Sequence, residues 1–154
     1  MTTDIKTDKK CKICDRVHPN CIVCGAANAK GLQLQFEATD DESARAVFKC
    51  DRTYEGYTGI LHGGIISSIL DGAMGNCMFR RGLTAVTVEM ILKFKYPVKT
   101  EKEATVTARI TRIAHPLYLL EAEIIQDDKI KATARAKFYD RPELADELAR
   151  INEL

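Results

Sequence analysis

Residues 59–75 read GILHGGIISSILDGAMG. From Ile65 onward the apolar residues keep helical spacing, and Ile66, Ile69, Leu70, Ala73, Met74 and Cys77 fall on one wide stripe. The spacing predicts a buried helix from His62 to about Arg80, closed by Gly82. Two features disagree with plain burial. The helix opens on His62-Gly63-Gly64, and it carries Asp71 half-way along. Glycine inside a helix costs about 1 kcal/mol relative to alanine, and a buried carboxylate costs more unless it is paired. A ligand, a partner chain or solvent exposure must offset those penalties.

Working outward, the chain reads as two strands, the helix, and four strands in meander. Leu32, Leu34 and Phe36 alternate with Gln33 and Gln35, the pattern of a half-buried strand, and Ala44–Cys50 reads as a second. After the helix, Val86, Val88, Met90, Leu92, Phe94 and Tyr96 alternate as one face of a long strand stopped by Pro97. Val106, Ala108 and Ile110 mark the next strand, and His115-Pro116 turns into Leu117–Gln126. Asp127-Asp128 is the following turn, after which Ile130, Ala132, Ala134, Ala136 and Phe138 alternate with charged or polar residues. The basic residues Lys129, Lys131, Arg135 and Lys137 then read as a solvated sheet edge. Pro142 opens a short amphipathic tail helix with Leu144, Leu148 and Ile151. One helix against one antiparallel sheet is an α+β architecture, and the sheet must wrap the helix to cover so wide a stripe.

The totals narrow the class. With 154 residues, 45% hydrophobic, the chain has enough for one core plus a small appendage. A net charge of +1 argues against nucleic acid or an anionic membrane as the main partner. The opening MTTDIKTDKK lacks the apolar run of a signal peptide, and no run approaches the ~20 apolar residues of a membrane span. The expectation is a soluble, cytoplasmic protein. Its division is a cysteine-rich segment, residues 1–28, and a packed domain, residues 29–154.

His62-Gly63-Gly64, then six residues, then Asp71, preceded by Gly59 and followed by VTVEMILKFKYPV, resembles the hotdog-fold acyl-CoA thioesterases of the PaaI-like group. The segment CIVCGAANAKGLQLQF (21–36) resembles the lead-in to their first strand. The resemblance implies one long central helix wrapped by a curved antiparallel sheet, in a chain that dimerises. It implies hydrolysis of an acyl-CoA thioester with no cofactor for the chemistry. It assigns Asp71 as general base or nucleophile and the Gly63 N–H as oxyanion donor. Thr87 positions water, and His62 supports the substrate loop.

The chemistry holds together on its own terms. Thioester hydrolysis needs an activated water or nucleophile and a donor for the developing oxyanion. A helix N-terminus offers unbonded N–H groups and partial positive charge, and glycine lets a ligand approach them. Asp71, however, lies eight residues past Gly63, about 12 Å along the axis. The two groups meet only if they come from different subunits, so the site belongs at a two-fold interface of a homodimer or dimer of dimers. Gly64, Ser68 and Gly75 share the Asp71 strip and are expected to line the acyl thioester. Arg80, Arg81, Lys93 and Lys95 are available to the coenzyme A phosphates. The alternatives are a non-enzymatic acyl-CoA binding or sensing protein of the same fold, and a hydratase or dehydratase. The second would want a histidine and carboxylate facing one carbon chain, for which no second motif exists.

Cys11-x-x-Cys14 and Cys21-x-x-Cys24 have the paired-hook spacing of a tetrahedral zinc site, with His18 between them as a substitute ligand. Such a zinc would be structural, since all-thiolate ligation leaves no position for water. Against it stands the six-residue gap, shorter than in zinc ribbons. Cys50 and Cys77 read as reduced core cysteines.

Overall fold

A computed structural model describes residues 16–39 and 43–153. Strands β1 (Glu37–Ala38) and β2 (Ser43–Phe48) lead to a 3-10 turn, Arg52–Tyr54, and then to helix α1 (Gly63–Arg80). Strands β3 (Ala85–Phe94), β4 (Ala104–Ala114), β5 (Leu117–Gln126) and β6 (Lys129–Asp140) follow, and α2 (Pro142–Asn152) closes the chain. The sheet order is β1-β2-β4-β5-β6-β3, with every pairing antiparallel.

The apolar stripe of α1 is the centre of the core. Ile69, Leu70, Ala73, Met74 and Cys77 are wholly buried, together with Val106, Leu120 and Ile124 of the sheet. On β6 the inward residues are Ala132, Ala134, Ala136 and Phe138. Three successive inward alanines leave room for the helix to settle into the sheet. The helix ends where the Gly82 N–H bonds to the Phe79 carbonyl and the Leu83 N–H to that of Met78. Asp127 and Asp128 both take positive φ (55° and 58°), the mirror-image turn that suits a two-residue hairpin.

Three readings of the sequence need correction. Leu34 is buried as its alternation requires, but residues 32–36 form no sheet ladder. The Leu32 and Leu34 N–H groups bond instead to the carbonyls of Ile22 and Val23, which ties this stretch to the cysteine loop. The basic residues of β6 are not a sheet edge, because β6 lies between β5 and β3. Lys129 and Lys131 lie over the Tyr96 ring, and Lys131 is largely buried.

The third correction concerns β3. Thr87 pairs with Phe138 and Glu89 with Lys137, so Val88 is an extra residue bulged out of the ladder. Met90 and Leu92, opposite Ala136 and Ala134, face the core. Strict alternation would put Val88 and Val86 on that same face and Thr87 on the other. The bulge reverses this. Val88 is exposed, and Thr87 shares the inner face with Phe138.

Candidate functional site

The reversal brings Thr87 to Asp71. The Thr87 hydroxyl Oγ1 donates to Asp71 Oδ1 at 2.6 Å. Asp71 is half-buried in α1, and burial pushes its carboxyl above the ordinary value of 3.8. The Thr87 hydrogen bond pulls the other way, and the Cys21 thiol adds a small upward push. A carboxylate held this way has one oxygen fixed and the other available to accept a proton.

The first turn of α1 is a different environment. His62 is its N-cap, in extended backbone (φ −60°, ψ 135°), and its Nδ1 accepts from the Gly64 N–H at 2.8 Å. Nδ1 being an acceptor, the proton of the neutral ring sits on Nε2. Gly64 therefore commits its amide to the cap. The Gly63 N–H has no acceptor among the described residues and lies at the positive end of the helix dipole. A groove of about 630 Å³ opens beside it, lined by Tyr57, Ile60, His62, Gly63, Phe94 and Tyr96. The Phe94 ring comes within 3.6 Å of where a Gly63 Cβ would stand.

Asp71 and Thr87 are together, then, and so are His62 and Gly63. The first pair joins β3 to the middle of α1, and the second stands at the start of the helix. Among the other predicted strip residues, the Ser68 hydroxyl donates to the Gly64 carbonyl of its own helix at 2.9 Å, and Gly75 faces the Phe138 ring. A larger groove, about 670 Å³, lies on the far side of the sheet between Ile91, Lys93, Arg109, Glu121, Thr133 and Arg135. Arg109 and Glu121 pair across it at 3.4 Å. It holds neither Asp71 nor a helix terminus, so the smaller groove is the better candidate for thioester chemistry.

Cys11 and Cys14 lie outside the described residues. Cys21 and Cys24 meet His18, with one ligand atom from each within 4.8 Å of the others. The Cys21 thiol is lowered to about 3, first by the hydrogen bond from Cys24 and against the effect of burial. His18 and the Val23 N–H, 3.4 Å from the sulfur, act in the same direction.

Two contributors escape the sequence pattern. Phe94 gives no sign that it would fold over Gly63. Asn76, on α1 and almost wholly buried, donates to the Cys24 sulfur at 3.5 Å. An asparagine amid Ala73, Met74 and Cys77 is the one signal that could have exposed it.

Residues 58–133 match the thioesterase superfamily. With the helix-wrapping sheet already in place, that match decides the assignment. Residues 58–133 belong to the thioesterase superfamily, on a hotdog fold. The Escherichia coli PaaI protein of the phenylacetic acid degradation operon superposes with a TM-score of 0.72 at 21% identity, over 87% of this chain and 97% of its own. A thioesterase superfamily protein gives 0.75 at 22% over 80% of this chain, which spans only 62% of that protein. A hypothetical thioesterase from Streptococcus pneumoniae, crystallised with coenzyme A, gives 0.67 at 17%, over 71% of this chain and 86% of its own. At such identities the likeness is one of fold. No curated protein matches. No helix among the described residues is long and apolar enough to cross a membrane.

Proposed function

We propose that this thioesterase-superfamily protein hydrolyses acyl-CoA thioesters at a site shared by two subunits. The observation that carries the reading is the Asp71 carboxylate, half-buried, raised in pKa and bonded to Thr87. Asp71 takes a proton from water, and the hydroxide attacks the thioester carbonyl. The oxyanion that forms accepts a hydrogen bond from the partner subunit's Gly63 N–H. The C–S bond then breaks, and the CoA thiolate leaves with the proton that Asp71 held.

Several observations support the reading. Coenzyme A is bound in the streptococcal relative and acetyl-CoA in a second, from Streptococcus mutans. The first has also been crystallised as alanine mutants of an aspartate and of a threonine 16 positions apart, the separation of Asp71 from Thr87 here. Among the described residues strand β3 pairs with β6 alone, and its Val88, Ile91 and Phe94, with Tyr96 just past its end, are exposed at 50–56%, an apolar edge suited to a second copy. Gly64, Ser68 and Gly75 form the wall along the acyl chain in this arrangement. Lys95, which borders the groove, is the cation we assign to a CoA phosphate.

The test is a panel of acyl-CoA substrates with free-thiol detection, comparing wild type with Asp71→Asn. Asparagine keeps the size and still accepts from Thr87, but it cannot take a proton. Turnover should fall at least ~10²-fold, in kcat more than in KM. Acyl-CoA binding without hydrolysis in the wild type would make this a binding protein; hydrolysis undiminished in Asp71→Asn would remove the catalytic assignment.

A further inference from the structure

The loop carrying Cys21 and Cys24 is docked on α1 directly behind Asp71. Three residues on one face of the helix receive it, at i, i+4 and i+7. Val23 Cγ1 lies 2.6 Å from where a Cβ on Gly72 would stand, so only glycine admits the loop at that distance. Asn76 Nδ2 bonds to the Gly72 carbonyl at 2.8 Å and to the Cys24 sulfur at 3.5 Å. The His18 ring stacks on Phe79 with centroids 4.4 Å apart.

That docking leaves a cost. His18 Nδ1 has as its partner a sulfur, Cys24 Sγ, at 3.9 Å, and Nε2 is buried with no hydrogen-bond partner among the described residues. An imidazole gains nothing by facing two thiol groups in this way unless something between them binds all three. A zinc ion with ~2.3 Å bonds to sulfur and ~2.0 Å bonds to nitrogen holds tetrahedral ligand atoms about 3.5–3.8 Å apart. The His18–Cys24 separation is already within a few tenths of that. The Val23 N–H directed at the Cys21 sulfur suits a ligating thiolate. The tight turn is maintained by Gly25, whose N–H bonds to the Cys21 carbonyl at 2.9 Å and whose missing Cβ would lie 2.3 Å from the Cys21 nitrogen.

We infer that His18, Cys21 and Cys24 are ligands of a structural zinc ion that clamps residues 16–34 onto α1. Thiolate and imidazole together select zinc over the hard cations, which want oxygen. The ion takes no part in hydrolysis. It immobilises the loop that backs the Asp71 turn, and its presence is independent of whether acyl-CoA is the substrate.

The full chain, purified reduced and without chelator, should carry about one zinc per chain by elemental analysis. Cys21→Ser with Cys24→Ser should drop this below ~0.1. His18→Ala should weaken zinc affinity at least ~10-fold against a competing chelator. Because the cysteine variant can fail to fold, cobalt(II) is exchanged into the wild type as a second measurement. Thiolate-to-cobalt charge-transfer absorption is expected. Metal-free wild type that takes up no zinc, cobalt spectra without thiolate bands, full zinc in the double variant or unchanged affinity in His18→Ala would each overturn the ligand set.

Discussion

The first turn of α1 and its middle belong to one helix yet are opposite in character. The first turn has no acidic side chain, a Gly63 amide with no acceptor among the described residues and an open groove. The middle has a half-buried carboxylate, a hydroxyl bonded to it and a closed wall behind it made by residues 18–24. One end is built to receive negative charge and the other to supply it. About 12 Å of helix axis keeps them apart. On the proposed mechanism, a chain that keeps donor and base this far apart is half a site at each end. In the dimer we propose, two-fold pairing of antiparallel helices would turn two such halves into two whole sites.

The comparison breaks most directly at Gly63. Proline removes the N–H but keeps the helix, since N1 accepts proline and His62 already has the extended backbone that proline requires of its predecessor. Gly63→Pro should fold, by circular dichroism, and lose about 10²–10³-fold in kcat. Mixed with Asp71→Asn under conditions of subunit exchange, it should recover roughly a quarter of wild-type activity, because half the dimers then hold one intact site. Absence of recovery despite proven exchange would mean that each chain works alone.

At Thr87 the effect should be smaller. Thr87→Val deletes the hydroxyl that lowers the Asp71 pKa, at a position where valine suits the strand. A hydrogen bond to a charged group is worth about 1.5–3 kcal/mol, so kcat should fall between about 10- and 10²-fold. On the proposed mechanism the acid limb of the kcat profile would report Asp71 and should already lie above pH 3.8 in wild type. In Thr87→Val it should move to still higher pH. A limb that stays in place would show that Thr87 does not hold the carboxylate during turnover.

Thr87 also marks where the sequence stops being legible. The α1 stripe, the inward face of β6 and the Asp127-Asp128 turn could all be read, because each rests on a period or a turn preference expressed within a few residues. His62, Gly63 and Asp71 stood out because glycines and a carboxylate in a buried helix carry penalties that call for an explanation. The bulge at Val88 could not. Val86-Thr87-Val88 is ordinary β sequence, and only the pairing with β6 decides which residue is squeezed out. The same holds for residues 32–36, whose alternation is genuine but whose hydrogen bonds go to a loop. Local pattern predicts which side is buried; the partner that covers it is set by distant chain.

The smallest effect should be on stability, and its sign follows from linkage. The folded-state pKa of Asp71 is raised above its unfolded value of about 3.8 chiefly by burial. As pH rises through the window between those values, the unfolded chain releases its proton first, so the folded state loses stability and then levels off. The Asp71→Asn chain, with no carboxyl to titrate at this position, would have no such loss. The melting temperatures of wild type and Asp71→Asn should thus lie closest below pH 3.8 and separate upward through the window, with the variant the more stable at neutral pH. A difference of ~1 kcal/mol in a chain this long would raise Tm by roughly 2–4 °C. Loss of activity together with gained stability is the signature of a carboxylate kept for chemistry. A variant that melts lower than wild type at neutral pH would mean that the Asp71–Thr87 contact supports the fold, and the middle of α1 would then be structural on both its faces.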